Sequence, residues 1–331
     1  MAVRMEKREI LVWAEQREGK LTQASREAIA LGRHLADLMN LSLAIALNGG
    51  SAAPSPHEMA DQSGEEIWLI DPEIPGTASY EVYGEAVRQM VSRFSPQWIL
   101  MGHSSRVVDF VPRLAVRMDC AFIPGCLDFR YEHEMLSWIR PAFEGRFHQQ
   151  VIPSGLPPFL ISIQPGAFAR LAFPHAGGGK VNRLSLQISS GTIQRRIVES
   201  SAGSAQGTDL AQARTVVAGG RGMGSREQFE WIHQLALLLE GATGASRPAV
   251  EAGWAARGLQ IGSSGQFVSP RLLLACGISG AIHHAVGVSG AGCIVAINQD
   301  PLASIFRIAD YGIVGKVEGI LPALIEELHQ K

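Results

Sequence analysis

The chain has 331 residues, 46% of them hydrophobic and 18% charged, with a formal net charge of -2 at pH 7. That length suits two ordinary domains with substantial apolar cores. The near-neutral charge argues against nucleic-acid binding and against a polybasic membrane surface.

The first residues, MAVRMEKRE, are charged, and the apolar run after them is broken by Glu15, Arg17 and Glu18. No secretory signal is therefore expected, and the cytoplasm is the default location. No stretch offers the roughly 18 uninterrupted apolar residues of a membrane span. Ile10–Glu15 reads as a first strand, and Ser25–Met39 as a helix with Ala28, Ile29, Leu31, Leu35 and Leu38 on the 3.6 period. Leu41–Leu47 reads as a strand, Gly49–Asp61 as a Pro- and Ser-rich loop, Glu66–Ile70 as a strand, Tyr83–Phe94 as a helix and Trp98–Met101 as a fourth strand. This alternation predicts an α/β fold whose parallel sheet is covered on both faces. After Leu114 the pattern changes to segments such as RPAFEGRFHQQV and PPFLISIQPGAF, which read as strands punctuated by Pro and Gly.

The segment SSAGSAQG reads as a flexible connector, placing a domain boundary near 200–210, with one domain over 1–205 and a second over 206–331. The second domain opens with the strand Thr215–Ala218 and the helix Glu227–Glu240. Ala249–Val250, Leu272–Ala275 and Cys293–Asn298 read as further short strands, and Pro322–His329 as a terminal helix. This second α/β pattern is Rossmann-like, with glycine concentrated at strand ends, where open sheets bind ligands.

Five glycine-rich polar junctions punctuate this otherwise apolar domain. In VAGGRGMGS, a strand runs into four glycines and a helix, a turn that suits phosphate binding, with Arg221 able to add bidentate bonds. It lacks the Gly-Lys-Ser/Thr of a P-loop. Gly244–Pro248 brings Ser246 and Arg247 before an expected strand. Gln260–Gly265 offers small polar residues and glycines for a pocket wall. Gly277–His284 ends in adjacent histidines, which point in different directions and make poor co-ligands for one metal. Ala296–Pro301 ends a strand in Asn298, Gln299 and Asp300. An extended phosphorylated cofactor would use many such junctions. Each alone is also compatible with a tight turn needed only for packing. No GxSxG element, zinc motif or CxxC pair accompanies them, so no catalytic residue and no metal site is expected. The four cysteines read as buried thiols.

The segments VVAGGRGMGSREQFE, TGASRPAVEAGW, QIGSSGQFVSP, GISGAIHHAVG, IVAINQDP and ADYGIVGK, in this order and spacing, resemble the alpha subunit of the electron transfer flavoproteins, the FixB type. A weaker similarity runs over 10–170, so nearly the whole chain is covered. The resemblance implies an FAD-binding C-terminal domain, a beta-type partner subunit and the role of an electron carrier. Electrons would come from dehydrogenases, often acyl-CoA dehydrogenases, and go to a quinone oxidoreductase or another acceptor. It also implies site residues: Arg221 near the flavin or its phosphates, Ser246 and Ser279 on phosphate, Arg247 against the ring, and Ser264 and His284 facing the ring. Gln260, Gly262 and Gly265 would shape the ring pocket, and Asn298 would face the adenosine or pyrophosphate end. Ser264, His283, Gln299, Leu273 and Lys316 depart from the family's usual threonine, glutamine, lysine, tyrosine and aspartate. A flavin-free interaction protein on the same scaffold and a stand-alone pyridine-nucleotide oxidoreductase are the alternatives.

Overall fold

The computed structural model describes residues 9–17, 20–48, 56–71, 74, 79–143, 147–168, 171, 177–187, 210 and 213–329. The expected connector SSAGSAQG lies outside them. The chain forms two compact units, one drawn largely from residues before Ala202 and the other largely from those after Ser201.

The first unit runs β1 (Ile10–Ala14), β2 (Gln16–Arg17), β3 (Lys20–Leu21), α1 (Gln23–Met39), β4 (Leu43–Asn48), α2 (Pro56–Ser63), β5 (Glu66–Asp71) and α3 (Tyr80–Phe94). It continues with β6 (Trp98–Gly102), α4 (Ser105–Met118), β7 (Phe122–Cys126), β8 (Asp128–Glu132), β9 (Met135–Ala142), β10 (Phe147–Val151), β11 (Phe159–Ile163) and β12 (Lys180–Ser185). Seven strands form one parallel sheet in the order β12-β5-β4-β1-β6-β11-β7. Its central strand, ILVWA, is buried throughout, as a strand covered on both faces must be. Alternate residues serve opposite faces. Val12, Ile45, Leu100 and Ile161 pack with Ile29, Leu31 and Leu35 of α1. Leu11, Trp13, Ile99 and Leu160 pack with Met90 and Phe94 of α3 and Phe110 and Val111 of α4.

Helix α1 forms because its apolar positions recur on the 3.6 period and both ends are capped. The Thr22 hydroxyl accepts from Ser25 N–H, and Asn40 closes the helix in the left-handed conformation. On the same helix the buried Glu27 carboxylate accepts from Gly166 N–H at 3.0 Å and Phe168 N–H at 3.1 Å, tying the loop after β11 to the helix. Strands β8, β9 and β10 form a separate three-stranded sheet. The expected loop at Gly49–Asp61 is corrected in part: residues 49–55 lie outside the described residues, and Pro56–Ser63 is helical, with proline at the first position, where its missing N–H costs nothing.

The second unit runs β13 (Thr215–Gly219), α5 (Arg226–Leu238), β14 (Ala242–Ala245), α6 (Arg247–Glu251), β15 (Leu272–Cys276), α7 (Ile282–Gly287), β16 (Ile294–Asn298), β17 (Tyr311–Val314) and α8 (Val317–His329). Its five strands are parallel in the order β14-β13-β15-β16-β17. The chain moves outward from β13 to β14, then crosses back to β15, so the direction of winding reverses between β13 and β15. The carboxyl edge beside that reversal is where open α/β sheets hold ligands. The expected strand at Ala249–Val250 is corrected: both residues belong to α6, which Pro248 opens. Among the described residues no helix is long and apolar enough to cross a membrane.

Candidate functional site

All ten expected site residues lie in the second unit, in the loops and helix starts that follow its strands. Arg221 follows β13. Ser246 and Arg247 follow β14. Ser279 and His284 follow β15, and Asn298 ends β16. The segment from Gln260 to Gly265 joins the same edge through a parallel bridge between Ala245 and Gln260 and a bond from Ile261 N–H to the Ala245 carbonyl at 2.9 Å.

The glycine turn after β13 accommodates another backbone. Gly220 N–H donates to the Cys276 carbonyl at 2.8 Å, and Gly222 N–H to the Gly277 carbonyl at 2.9 Å. Met223 and Gly224 N–H bond to the carbonyls of Gly220 and Arg221. These four amides are therefore committed to protein, and what the turn presents outward is the exposed Arg221 side chain. Ser225 then caps α5, its hydroxyl accepting from Gln228 N–H at 3.2 Å.

Ser246 differs from an ordinary cap. It occupies the cap position of α6, only 7% exposed, yet its side chain makes no capping bond. Its N–H is held by the Gly219 carbonyl at 2.9 Å, which fixes the residue against the end of β13. Its hydroxyl is out of water and has no hydrogen-bond partner. Arg247 points away, 66% exposed, with its Nε 2.7 Å from a Glu251 carboxylate oxygen.

The loop from Gln260 to Gly265 is folded on itself and pinned to α7. Gln260 Nε2 donates to Ser264 Oγ at 2.9 Å, and Ser263 N–H to the His283 carbonyl at 2.7 Å. Ser263 Oγ and His283 Nδ1 are 3.0 Å apart. A Cβ on Gly265 would stand 2.3 Å from the Gln260 carbonyl oxygen, so this turn closes only on glycine. A Cβ on Gly262 would stand 2.7 Å from the His283 carbonyl oxygen. Gln260 is buried; Ser264 and Gly265 are exposed.

The adjacent histidines part company on α7. His283 is exposed, whereas His284 is 6% exposed. His284 Nδ1 lies 3.3 Å from the Ile261 carbonyl oxygen, an acceptor, so Nδ1 carries the proton. Its Nε2 is out of water without a partner. Burial pushes its pKa down to about 4, against a smaller upward pull from the Ile261 carbonyl. The imidazole is therefore neutral at pH 7, with a lone pair at Nε2.

Asn298 is used at both ends of its amide. Nδ2 donates to the Ile278 carbonyl at 2.8 Å, and Oδ1 accepts from Asp300 N–H at 3.0 Å, so it braces the loop that carries Ser279. Ser279 is exposed and its carbonyl accepts from Ile305 N–H. Gln299 and Lys316 are both exposed. No cluster of three or more His, Cys, Asp or Glu among the described residues is placed to hold a metal. Cys126 and Cys276 are buried, with pKa values pushed up to about 12 by burial, while Cys120 and Cys293 are half-buried.

The structure thus brings Ser246, the 260–265 loop and His284 to one edge. It leaves Arg247 turned outward on Glu251. Sequence reasoning missed the tethers from Ser263 to His283 and from His284 to Ile261, which join residues 20 and 23 positions apart. The buried polar atoms at Ser246 and His284 are what a polar cofactor would satisfy, since buried polar groups are paired in native structures. A hydroxyl suits a phosphate oxygen, and an imidazole suits a heteroaromatic ring edge, so the donor set fits an FAD molecule.

Residues 209–289 match the model of the electron transfer flavoprotein FAD-binding domain, and residues 10–189 that of the electron transfer flavoprotein domain. The chain is 34% identical to the electron transfer flavoprotein subunit alpha of Thermoanaerobacterium thermosaccharolyticum, covering 97% of this chain and 98% of that one. It is 34% identical to the protein of the same name from Bacillus subtilis, covering 98% of each. It is 33% identical to protein FixB of Clostridium saccharobutylicum, covering 96% of this chain and 95% of the relative.

Proposed function

This chain belongs to the electron transfer flavoprotein alpha-subunit family, and on that premise we propose how its second unit holds FAD and with whom it works. The observation that carries the reading is the pair of buried atoms without partners, Ser246 Oγ and His284 Nε2, on one sheet edge. Bound FAD supplies the electron chemistry through its ring, which the protein positions and tunes.

Ser246 donates its hydroxyl proton to a phosphate oxygen, its backbone already fixed by Gly219. Ser279 and Arg221 add a hydroxyl and a positive charge from the neighbouring loops. Asn298 keeps the Ser279 loop in place. Gln260, Gly262 and Gly265 form the wall of the ring pocket, and Ser264, accepting from Gln260, keeps its own proton free to donate. His284 faces the ring with Nε2. A proton taken up from water on that nitrogen would turn it from an acceptor into a cationic donor toward negative charge on the ring. Arg247 would exchange Glu251 for the ring, at little cost because the pair is exposed.

A beta-type subunit is the partner. Dehydrogenases, acyl-CoA dehydrogenases among them, supply electrons, and a quinone oxidoreductase or another acceptor receives them. The cytoplasm is the compartment, and the sequence boundary between the two domains falls at 205/206. The test is co-production with a beta-type partner subunit. The expected product is a yellow heterodimer whose flavin bound by this chain is lost in Ser246→Ala combined with His284→Ala. A colourless heterodimer that takes up no added FAD would refute the reading.

A further inference from the structure

The first unit holds a second cluster of buried polar groups, none of them among the residues assigned above. It stands at the carboxyl ends of β6, β11 and β7. Strand β7 carries a bulge there: Ile161 pairs with Ile123 and Ile163 with Cys126, so Pro124 and Gly125 together oppose Ser162. Gly125 takes the bulge with φ +66°. Bulges of this kind re-aim side chains and recur beside functional sites.

The bulge organises three side chains. Ser162 Oγ, fully buried, accepts from Gly125 N–H at 3.1 Å and lies 2.8 Å from His103 Nδ1. Ser162 Oγ keeps a proton to donate to Nδ1, and in that tautomer the histidine proton stands on Nε2. Ser162 is sealed from solvent, so the pair is not a nucleophile and its base. A Cβ built on Gly125 would stand 3.7 Å from His103 Nε2 and 3.5 Å from Gln164 Oε1, so both side chains border the same point above the bulge. Gln164 is 4% exposed, its N–H bonded to the Cys126 carbonyl at 2.9 Å. Its side-chain Nε2 is out of water with no partner. Leu127 N–H donates to the Ile139 carbonyl at 2.7 Å, which places Arg140 beside Cys126. Arg140 is half-buried and its Nε has no partner. Its charge reaches both His103 and Cys126: it adds to the burial that keeps His103 neutral, and it opposes the burial that raises Cys126.

The buried groups without a partner here are both donors, the Arg140 guanidinium Nε and the Gln164 side-chain amide, and His103 Nε2 borders the same bulge. No carboxylate among the described residues pairs with Arg140. Donors left unpaired in a buried setting cost about 1–3 kcal/mol each, a cost that an acceptor would remove. We propose that this cluster of Arg140, Gln164 and His103 binds a small oxyanion, a phosphate or carboxylate group of a free ligand. Arg140 supplies the charge, while Gln164 and His103 Nε2 supply directed hydrogen bonds.

The test uses the full chain in its FAD-loaded heterodimer, so that the flavin site is already filled. Equilibrium dialysis with labelled inorganic phosphate, and separately with labelled acetate, measures binding to wild type, Arg140→Met and Gln164→Met. The expected result is one saturable equivalent of at least one of the two anions, weakened at least tenfold in both variants, with flavin content unchanged. Preference for phosphate or acetate identifies the class. Absence of saturable binding of both anions, or equal binding in wild type and both variants, overturns the proposal. So does weakened assembly with the beta-type partner in Arg140→Met when wild type binds neither anion, because the cluster then meets a partner's side chain.

Discussion

Gly220 and Gly277 stand back to back across the point where the second sheet reverses its winding. A Cβ on Gly220 would come within 2.2 Å of the Gly277 carbonyl oxygen, the same atom that accepts from Gly222 N–H. The obstacle is backbone held in place by that hydrogen bond, so it cannot turn aside as a flexible side chain would. Gly220→Ala is expected to destabilise the chain by about 1–3 kcal/mol, the usual cost of overpacking, and to reduce flavin retention. Gly258→Ala meets nothing within 4 Å and should change stability little. Urea melts of both variants measure the difference, and equal midpoints would contradict the close-packing account.

Burial of His284 ties stability to pH. Its native pKa is pushed down to about 4, below the ordinary histidine value near 6.5. Between those values the unfolded chain binds a proton that the native chain refuses. Stability from this group is therefore full above about pH 6.5 and falls as pH drops toward 4, by roughly 3 kcal/mol in all. Replacing His284 with Gln removes that dependence, while other titrating groups act equally in both proteins. The unfolding free energy of flavin-free wild type should fall more steeply than that of His284→Gln as pH is lowered over this window. Parallel curves would show that the imidazole is not held neutral by burial.

Helix α1, the two parallel sheets and the polar junctions of the second unit are legible in the sequence because each rests on local pattern. Ala28, Ile29, Leu31 and Leu35 mark a face by spacing alone. Apolar runs such as ILVWA mark buried strands. One misreading comes where a short apolar pair outweighs a helix-start signal. Ala249–Val250 looked like a strand, although Pro248 before it marks the first turn of a helix. Strand β12, beginning at Lys180, pairs with β5 from 114 residues away and carries little apolar pattern of its own. The site was legible as a set of junctions but not as a set of contacts. Nothing local tells that His284 reaches the Ile261 carbonyl, that Arg247 rests on Glu251, or that His103 meets Ser162 59 positions on.

The Arg247–Glu251 pair makes a prediction of opposite signs for its two members. At 2.7 Å but exposed on both sides, it contributes under about 1 kcal/mol to stability. If Arg247 works against the flavin ring, Glu251 competes for it. Arg247→Ala should then lower the flavin reduction potential, because it removes a cation that favours the more negative reduced ring. Glu251→Gln should leave the potential equal or raise it, with a melting midpoint near that of wild type. Spectroelectrochemical titration of the heterodimer reads both, and a fall in potential for Glu251→Gln would place Arg247 on the surface as an ordinary helix ion pair.

The Gln260–Ser264 bond separates two roles for the serine hydroxyl. Its oxygen accepts from Gln260 Nε2 at 2.9 Å, which leaves its proton to donate elsewhere. Ser264→Ala removes that donor and also leaves the amide of Gln260, itself 7% exposed, without its partner. The loss of stability should reach about 1–3 kcal/mol, and FAD affinity should fall with it. Ser264→Thr keeps the hydroxyl and adds a methyl that restricts its rotation, so less rotamer freedom is lost when flavin binds. FAD titration should therefore rank affinity as Thr at or above Ser and both well above Ala, with melting midpoints that separate only the alanine variant. If alanine binds FAD as tightly as serine while its midpoint falls, the hydroxyl serves the loop through Gln260 and does not reach the cofactor.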